Sequence, residues 1–179
     1  MSKVVIINGS PFPSSRLNGL IQYAEQQLQQ KGIEIDYIQV VQLPAEDLIK
    51  AKFDSEAILN ANQKVEQADG IIIASPVYKA AYTGVLKTYL DLLPQKGLLG
   101  KTILPLFIGG TLAHLLSIDY ALKPVLSTMG SRYILGGVYA VDAWVTREEN
   151  EQYSLSEELV QRLDAAVEEF ANALNGQKA

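Results

Sequence analysis

A doubly wound five-stranded parallel sheet with helices on both faces, an α/β architecture, is predicted by three features of the chain. Two compact apolar runs, Val4-Val-Ile-Ile-Asn-Gly-Ser10 and Ile71-Ile-Ile-Ala-Ser-Pro-Val-Tyr78, read as buried parallel strands that stop abruptly in small or turn-forming residues. Helical periodicity separates strand signals along the whole length, the alternation that winds helices over both faces of one sheet. Size agrees: 179 residues, 48% of them hydrophobic, suit a single domain (residues 1–179) around one core.

The first strand runs through a loop into a helix whose Leu17, Leu20, Ile21, Ala24 and Leu28 recur at helical spacing. Gly32 marks its C-cap, and Ile33, Ile35 and Tyr37 alternate as a strand leading to Val41. Residues 43–53, with Pro44 and mixed polarity, are predicted as loop with room for one turn of helix. Ser55 caps the next helix, which carries Ile58, Leu59 and Val65 and ends at Ala68-Asp-Gly70 before the second apolar strand. A short helix from Gly84 to Leu93 is stopped by Pro94. Thr102-Ile-Leu-Pro-Leu-Phe-Ile108 is a further strand, ended by Gly109-Gly-Thr111; a helix around Leu116 to Met129 and a strand around Ile134 to Val141 follow. Ser154-Leu-Ser-Glu157 has the spacing of a capping box and opens the last helix, whose Leu159, Leu163, Val167, Phe170 and Leu174 form one face. Asn175 to Ala179 read as a frayed tail.

Composition removes several classes of function. Fifteen basic against twenty acidic residues give a net charge of -5 with no basic run, which argues against nucleic acid or an anionic membrane as a partner. Without cysteine there is no disulfide framework, thiolate metal site or cysteine nucleophile, and a single histidine, His114, rules out a multi-histidine metal site. No Gly-x-Ser-x-Gly elbow occurs, so His114 reads as a structural side chain beside a loop rather than half of a Ser/His pair. The chain starts with a strand pattern and shows neither a signal-peptide stretch nor a run of transmembrane length, so a cytoplasmic location is expected.

Where side chains cannot do the chemistry a bound cofactor can, with the protein supplying position and electrostatics. In open α/β sheets the ligand sits in the crevice beyond the carboxyl ends of the strands. Here the first strand-end loop brings Ser10, Ser14, Ser15 and Arg16 to a helix N-terminus, whose backbone N–H groups favour an anion. It is not a Walker loop, because Gly-Lys-Ser/Thr is missing, nor a dinucleotide fingerprint, whose glycine spacing is absent. The remaining phosphate loop of this architecture is the hydroxyl-rich loop of flavodoxin-like proteins, which takes the monophosphate of FMN. The second loop, Pro76-Val-Tyr-Lys-Ala-Ala-Tyr-Thr-Gly84, offers amides and aromatic rings, and the third, Gly109-Gly-Thr111, lets the backbone approach a flat ring closely. Hydride transfer from a nicotinamide to a flavin on such a platform needs stacked rings and no general acid from the protein.

Two stretches carry a family resemblance. Residues 67–94, with Pro76-Val-Tyr-Lys79, and residues 109–126, with Asp119-Tyr-Ala-Leu-Lys-Pro124, closely resemble the NADPH-dependent FMN reductases, and within them the reductase component of the alkanesulfonate monooxygenase two-component system. The likeness runs from about Lys3 to beyond Gly137. It implies a flavodoxin-like fold, a homo-oligomer (dimer or tetramer) built through its helices, and NADPH-dependent reduction of FMN that then leaves for a separate FMNH2-dependent monooxygenase, in sulfonate sulfur acquisition. By the same resemblance Ser10, Ser15, Arg16 and Leu17 hold the FMN phosphate. Pro76, Val77 and Tyr78 line the isoalloxazine and ribityl chain, and Gly110 and Thr111 touch the ring edge. Many members place an arginine just after the Gly-Ser-Pro turn, where this chain has Phe12, so the phosphate charge falls to Arg16 or to backbone amides. Two rivals share the fold: an FMN-retaining quinone, azo or chromate reductase, and a flavodoxin-like electron carrier without nicotinamide activity.

Pro124 sits inside the helix around Leu116 to Met129. It has no N–H to donate and leaves the carbonyl of Tyr120 unpaired, so the helical ladder must break or bulge there. Single-turn π-bulges often mark functional sites, with a simple proline kink as the alternative. In the resembling two-component reductases the matching tyrosine is associated with such a bulge at a subunit interface beside the flavin sites. The resemblance therefore assigns Tyr120 and Pro124 to the interface and to flavin exchange, not to bond-making.

Overall fold

The computed structural model describes residues 2–176. Along the chain come β1 (Lys3–Asn8), α1 (Leu17–Gln30), β2 (Glu34–Gln39), α2 (Ala45–Ile49), α3 (Glu56–Gln67), β3 (Gly70–Tyr78), β4 (Ala81–Tyr82), α4 (Gly84–Leu90) and β5 (Thr102–Gly109). A π turn (Ile118–Leu122) then feeds α5 (Lys123–Thr128), followed by β6 (Tyr133–Ile134), β7 (Val138–Val141), a hairpin of β8 (Val145–Arg147) and β9 (Tyr153–Leu155), and α6 (Glu157–Gly176). The strands lie in the order β2-β1-β3-β5, with β6 and then β7 beside β5, all parallel. Because β6 and β7 share one lane, the sheet has the predicted five lanes, in the flavodoxin-like order. After β2 the chain crosses back over β1 to lay down β3, so the winding reverses between β1 and β3 and a crevice opens beyond their carboxyl ends.

Period-two alternation sorts each strand between two layers. Val5, Ile7, Ile71, Ile73, Ile103 and Phe107 face α3, α4 and α5, whereas Val4, Ile6, Ile72, Ala74, Leu104 and Leu106 face α1 and α6. All of these are sealed from solvent, and each larger side chain contributes roughly 1.5–3 kcal/mol by burial. Helix ends follow the predicted chemistry at two places. The N–H of Gly32 (φ +74°) donates to the carbonyl of Gln29 while that of Ile33 reaches Leu28, closing α1, and Ser55 Oγ accepts from Ile58 N–H (3.3 Å) to open α3.

Other boundaries differ from expectation for local reasons. The capping box at Ser154 does not form: β9 claims Ser154, whose Oγ donates to Glu148 (2.7 Å), and Ser156 caps α6 by accepting from Leu159 N–H (3.3 Å). The strand over 134–141 is two pieces, because Gly136-Gly137 swing out of the ladder; Gly137 takes φ +75° and lies so close to the Pro105 carbonyl that a Cβ would sit 2.6 Å from its oxygen. β2 stops at Gln39, with residues 40–42 in a 3-10 turn, and residues 43–53 do hold one short helix, α2. α4 ends at Leu90, and tight turns carry the chain on to Pro94. Asn175 and Gly176 continue α6, and residues 177–179 of the predicted tail lie outside the described residues. Among the described residues no helix is long and apolar enough to cross a membrane, and no group of three His, Asp or Glu residues could hold a metal ion.

Candidate functional site

Three loops leave the carboxyl edge: residues 9–16 after β1, the hairpin at the end of β3, and residues 110–117 after β5. A few buried contacts lock them together. Gly9 N–H donates to the Ala74 carbonyl (2.8 Å), and the Gly9 carbonyl accepts from Thr83 Oγ1 (2.5 Å). Thr83 is itself buried, and its Oγ1 also accepts from Leu86 N–H (3.1 Å), capping α4. Ser75 Oγ accepts from Thr83 N–H (3.0 Å) and donates to the Pro76 carbonyl (2.8 Å). One threonine thus fixes the first loop, the second loop and a helix start. A Cβ on Gly9 would lie 2.6 Å from Leu86 Cβ, so only glycine lets the first loop rest on α4.

The third loop is held from the neighbouring lane of the sheet. Tyr139 of β7 donates its hydroxyl to the Thr111 carbonyl (2.7 Å), and a Cβ on Gly109 would collide with that hydroxyl. Burial, with Asp142 nearby, raises the Tyr139 pKa. Tyr139 is not among the residues the sequence singles out; the available signal was one aromatic hydroxyl in the otherwise aliphatic strand Val138-Tyr-Ala-Val141. Gly109 also lets the second and third loops meet, since its Cβ would stand 3.5 Å from Val77 Cβ.

In the first loop the predicted phosphate residues take different roles. Ser10 is buried, its Oγ accepting from Phe12 N–H (3.2 Å) and donating to the Phe12 carbonyl (3.1 Å), while its N–H goes to Asn8 Oδ1 (2.9 Å). The Leu17 side chain belongs to the core, and its N–H donates to Ser15 Oγ (3.2 Å). The N–H groups of Asn18 and Gly19 turn back to the carbonyls of Ser15 and Arg16. Among the described residues no acceptor meets the N–H groups of Ser14, Ser15 and Arg16, and no carboxylate pairs with the Arg16 guanidinium. They stand at the start of α1, where the N-cap residue Arg16 makes no side-chain cap and the macrodipole favours an anion. Phe12, where many members of the resembling family carry an arginine, puts an exposed ring at the mouth of a cleft of about 370 Å³ beside this loop.

The second loop is a tight hairpin. Tyr78 pairs with Ala81, and the two residues between them, Lys79 (φ +53°) and Ala80 (φ +65°), are both left-handed. That is the type I′ turn in which Asn-Gly is usual, and each side-chain-bearing residue there costs on the order of 1–2 kcal/mol. The turn leaves Tyr78 partly exposed at the crevice, while Pro76 is buried and Val77 packs against the core. β4 lies against the π turn.

The predicted bulge at Tyr120 is present. Lys123 N–H donates to the carbonyl of Ile118, five residues back, and Pro124 falls in the first turn of α5, where a missing N–H costs least. The widened turn presents Tyr120 at 79% exposure, with Leu112, Leu115 and Leu116 about half exposed beside it. His114 is exposed in the same loop.

Together these residues fit a flavin mononucleotide. The helix start with three free N–H groups and Arg16 suits a phosphate, and Gly110, where a Cβ would meet nothing within 4 Å, leaves open space beside the glycine-walled floor for a flat ring. A cavity of about 750 Å³ elsewhere, between α3 and residues 93–101, carries no such constellation and lies near the amino edge of the sheet.

The family described as NADPH-dependent FMN reductase matches residues 2–146. The chain is 46% identical to an FMN reductase (NADPH) of Escherichia coli (strain K12), over 97% of this chain and 90% of that protein. It is 45% identical to an FMN reductase (NADPH) of Pseudomonas putida (strain KT2440), over 96% and 87% of the two. Among solved structures it superposes on an apo NADH:FMN oxidoreductase with a TM-score of 0.86 at 33% identity, covering 97% and 90% of the two chains. A phosphate-ready helix start, a glycine-walled crevice and relatives matched over nearly their whole length converge: this chain belongs to the NADPH-dependent FMN reductase family, oxidoreductases that use FMN and NADPH.

Proposed function

We propose that the protein reduces FMN with NADPH, binding the flavin as an exchangeable substrate, and that the reduced flavin passes to a separate FMNH2-dependent monooxygenase, in sulfonate sulfur acquisition. The observation that supports the exchange is the π turn at Tyr120: a bulge in the helix packed against the β3–β4 hairpin, an irregularity of the kind that recurs at functional sites. When bound, FMN supplies the hydride-accepting ring. The chain's own residues hold and orient: the N–H groups of Ser14, Ser15 and Arg16 with the Arg16 guanidinium meet the phosphate, and Tyr78, Gly110 and Thr111 border the ring. Thr83 and Tyr139 keep the three loops in register. Tyr120 and Pro124 lie at a contact between copies of a homo-oligomer, which would cover Leu112, Leu115 and Leu116. The cytoplasm is the proposed location.

NADPH oxidation by flavin-stripped protein tests the proposal. The expected result is protein isolated largely without flavin, inactive until FMN is added, with riboflavin the poorer acceptor because its missing phosphate removes charge-assisted bonds worth roughly 1.5–3 kcal/mol each. Equal rates with and without added FMN, or a tightly bound yellow flavin that passes electrons to a quinone, would overturn it.

A further inference from the structure

We propose that Lys79, at the tip of the β3–β4 hairpin, receives a phosphate group of the reduced nicotinamide dinucleotide and so makes this hairpin a recognition element for the hydride donor; the inference rests on the NADPH-dependent reading above. Consider the cations of the three loops and of the helices they open into. Lys87 is tied to Asp91 and Lys123 to Asp119. Among the described residues the side chains of Arg16 and Lys79 have neither an ion pair nor a hydrogen bond. Two anionic ligands must meet here on a chain whose net charge of -5 repels both, so local cations and N–H groups must offset that field. Arg16 stands at the helix start that suits the flavin phosphate. Lys79 stands at the exposed tip of the hairpin that ends β3, one residue beyond Tyr78.

The hairpin also fixes where that charge is offered. Val77 pairs with Tyr82 and both pack against the core, and Tyr78 pairs with Ala81, so the backbone of Lys79 is anchored on both sides. Its φ of +53° is a conformation that asparagine or glycine adopts more cheaply, so turn geometry does not explain a lysine there. Strained positions of this kind persist where the surroundings over-determine them, and they cluster at ligand clamps.

Steady-state kinetics of Lys79→Gln and Lys79→Arg, with melting temperatures to confirm folding, test the assignment. Lys79→Gln should raise the KM for NADPH about tenfold, the lower end expected for losing a charge-assisted bond at an exposed site, with the loss in KM rather than kcat and the KM for FMN unmoved. Lys79→Arg should restore most of the affinity, and the wild-type KM for NADPH should rise with salt more steeply than that of Lys79→Gln. Running NADH in parallel separates two sources of the same chemistry: equal losses place the pyrophosphate on Lys79, and a loss confined to NADPH places the 2′-phosphate there. Calorimetric titration of NADP+ reads the same contact without turnover. If the wild type shows FMN-dependent NADPH oxidation while Lys79→Gln keeps its KM for NADPH and its NADP+ affinity within twofold, Lys79 is only a solvated turn residue and the functional reading stands. If the wild type shows no such oxidation, both fall.

Discussion

One face of the sheet is covered by two long amphipathic helices, α1 of 14 residues and α6 of 20, whereas the other is covered by short pieces: α2 of 5, α3 of 12, α4 of 7, the π turn of 5 and α5 of 6. The difference shows in what is left outside. Of the large apolar side chains that stay exposed, none belongs to α1 or α6; Ile49, Leu59, Leu112, Leu115, Leu116 and Tyr120 all belong to the second face or to the loop that enters it. The β8–β9 hairpin completes the first face, pressing Tyr153 and Val145 so close to α1 that a Cβ on Gly19 would sit 3.0 Å from each. A helix finished within one chain needs only a regular stripe. A helix that, as proposed, also borders a ligand and a second subunit gives up length and regularity, and its remaining apolar surface is what the proposed second subunit would cover.

The contrast breaks most sharply at Phe170 of α6 and Tyr120 of the π turn. Phe170 is fully buried between α6 and the sheet, so Phe170→Ala should cost about 3–5 kcal/mol by transfer and cavity together, lowering the melting temperature while the folded fraction keeps its KM for FMN. Tyr120→Ala removes a ring that packs on little within its own chain. Its expected cost, on the order of 2 kcal/mol, falls on association and shows as an altered affinity for added FMN, with the melting temperature of the dissociated subunit nearly unchanged. Gel filtration, titration with FMN and thermal melting on one preparation of each variant separate the two. A Tyr120→Ala variant that melts lower but keeps its assembly and its flavin affinity would make the two faces alike.

The same division governs how much could be read from the chain. α1, α3 and α6 were legible because their apolar stripes repeat at one period and Gly32 and Ser55 carry direct capping chemistry. The π turn was legible for a different reason, since a proline without an N–H must release a specific carbonyl wherever it falls. What escaped depends on partners distant in sequence. Ser154 has the spacing of a capping box, but β8 pairs with β9 and takes it, which leaves the cap of α6 to Ser156. Gly136-Gly137 looked compatible with a strand until the Pro105 carbonyl occupied the space a side chain would need. Of the residues proposed for the site, Arg16 stands free at the start of α1, as its place in the sequence suggests, whereas Ser10 and the Leu17 side chain turn inward. Tyr139 was hidden because its role lies in reaching across to Thr111.

That reach gives a smaller effect on the crevice side. Tyr139→Phe keeps the ring and deletes the hydroxyl that holds the Thr111 carbonyl, a net loss of about 0.5–1.5 kcal/mol. If the third loop borders the flavin, part of the loss should appear as a several-fold rise in the KM for FMN. A variant that is merely less stable, with FMN and NADPH parameters unmoved, would detach Tyr139 from the site.

The smallest effect compares the two faces at the edge strand β2, where consecutive residues reach in opposite directions. Tyr37 donates its hydroxyl to Glu25 of α1 (2.7 Å), and Asp36 accepts from Lys64 of α3 (2.8 Å) and from Tyr37 N–H (2.7 Å). Partial burial disfavours the charged form of Asp36, but the Lys64 and Tyr37 N–H bonds outweigh it, and its pKa lies below the usual 3.8. A carboxyl whose pKa is depressed by folding contributes stability that is complete above its unfolded pKa and disappears as pH falls through the folded one. Both partners are partly solvated, so Asp36→Asn should cost no more than about 1 kcal/mol at neutral pH. Urea unfolding of wild type and variant should show that gap at pH 7 and should show it closing on acidification to about pH 3 or below. A gap that stays constant with pH would mean that Asp36 holds α3 by the shape of its hydrogen bonds and not by its charge.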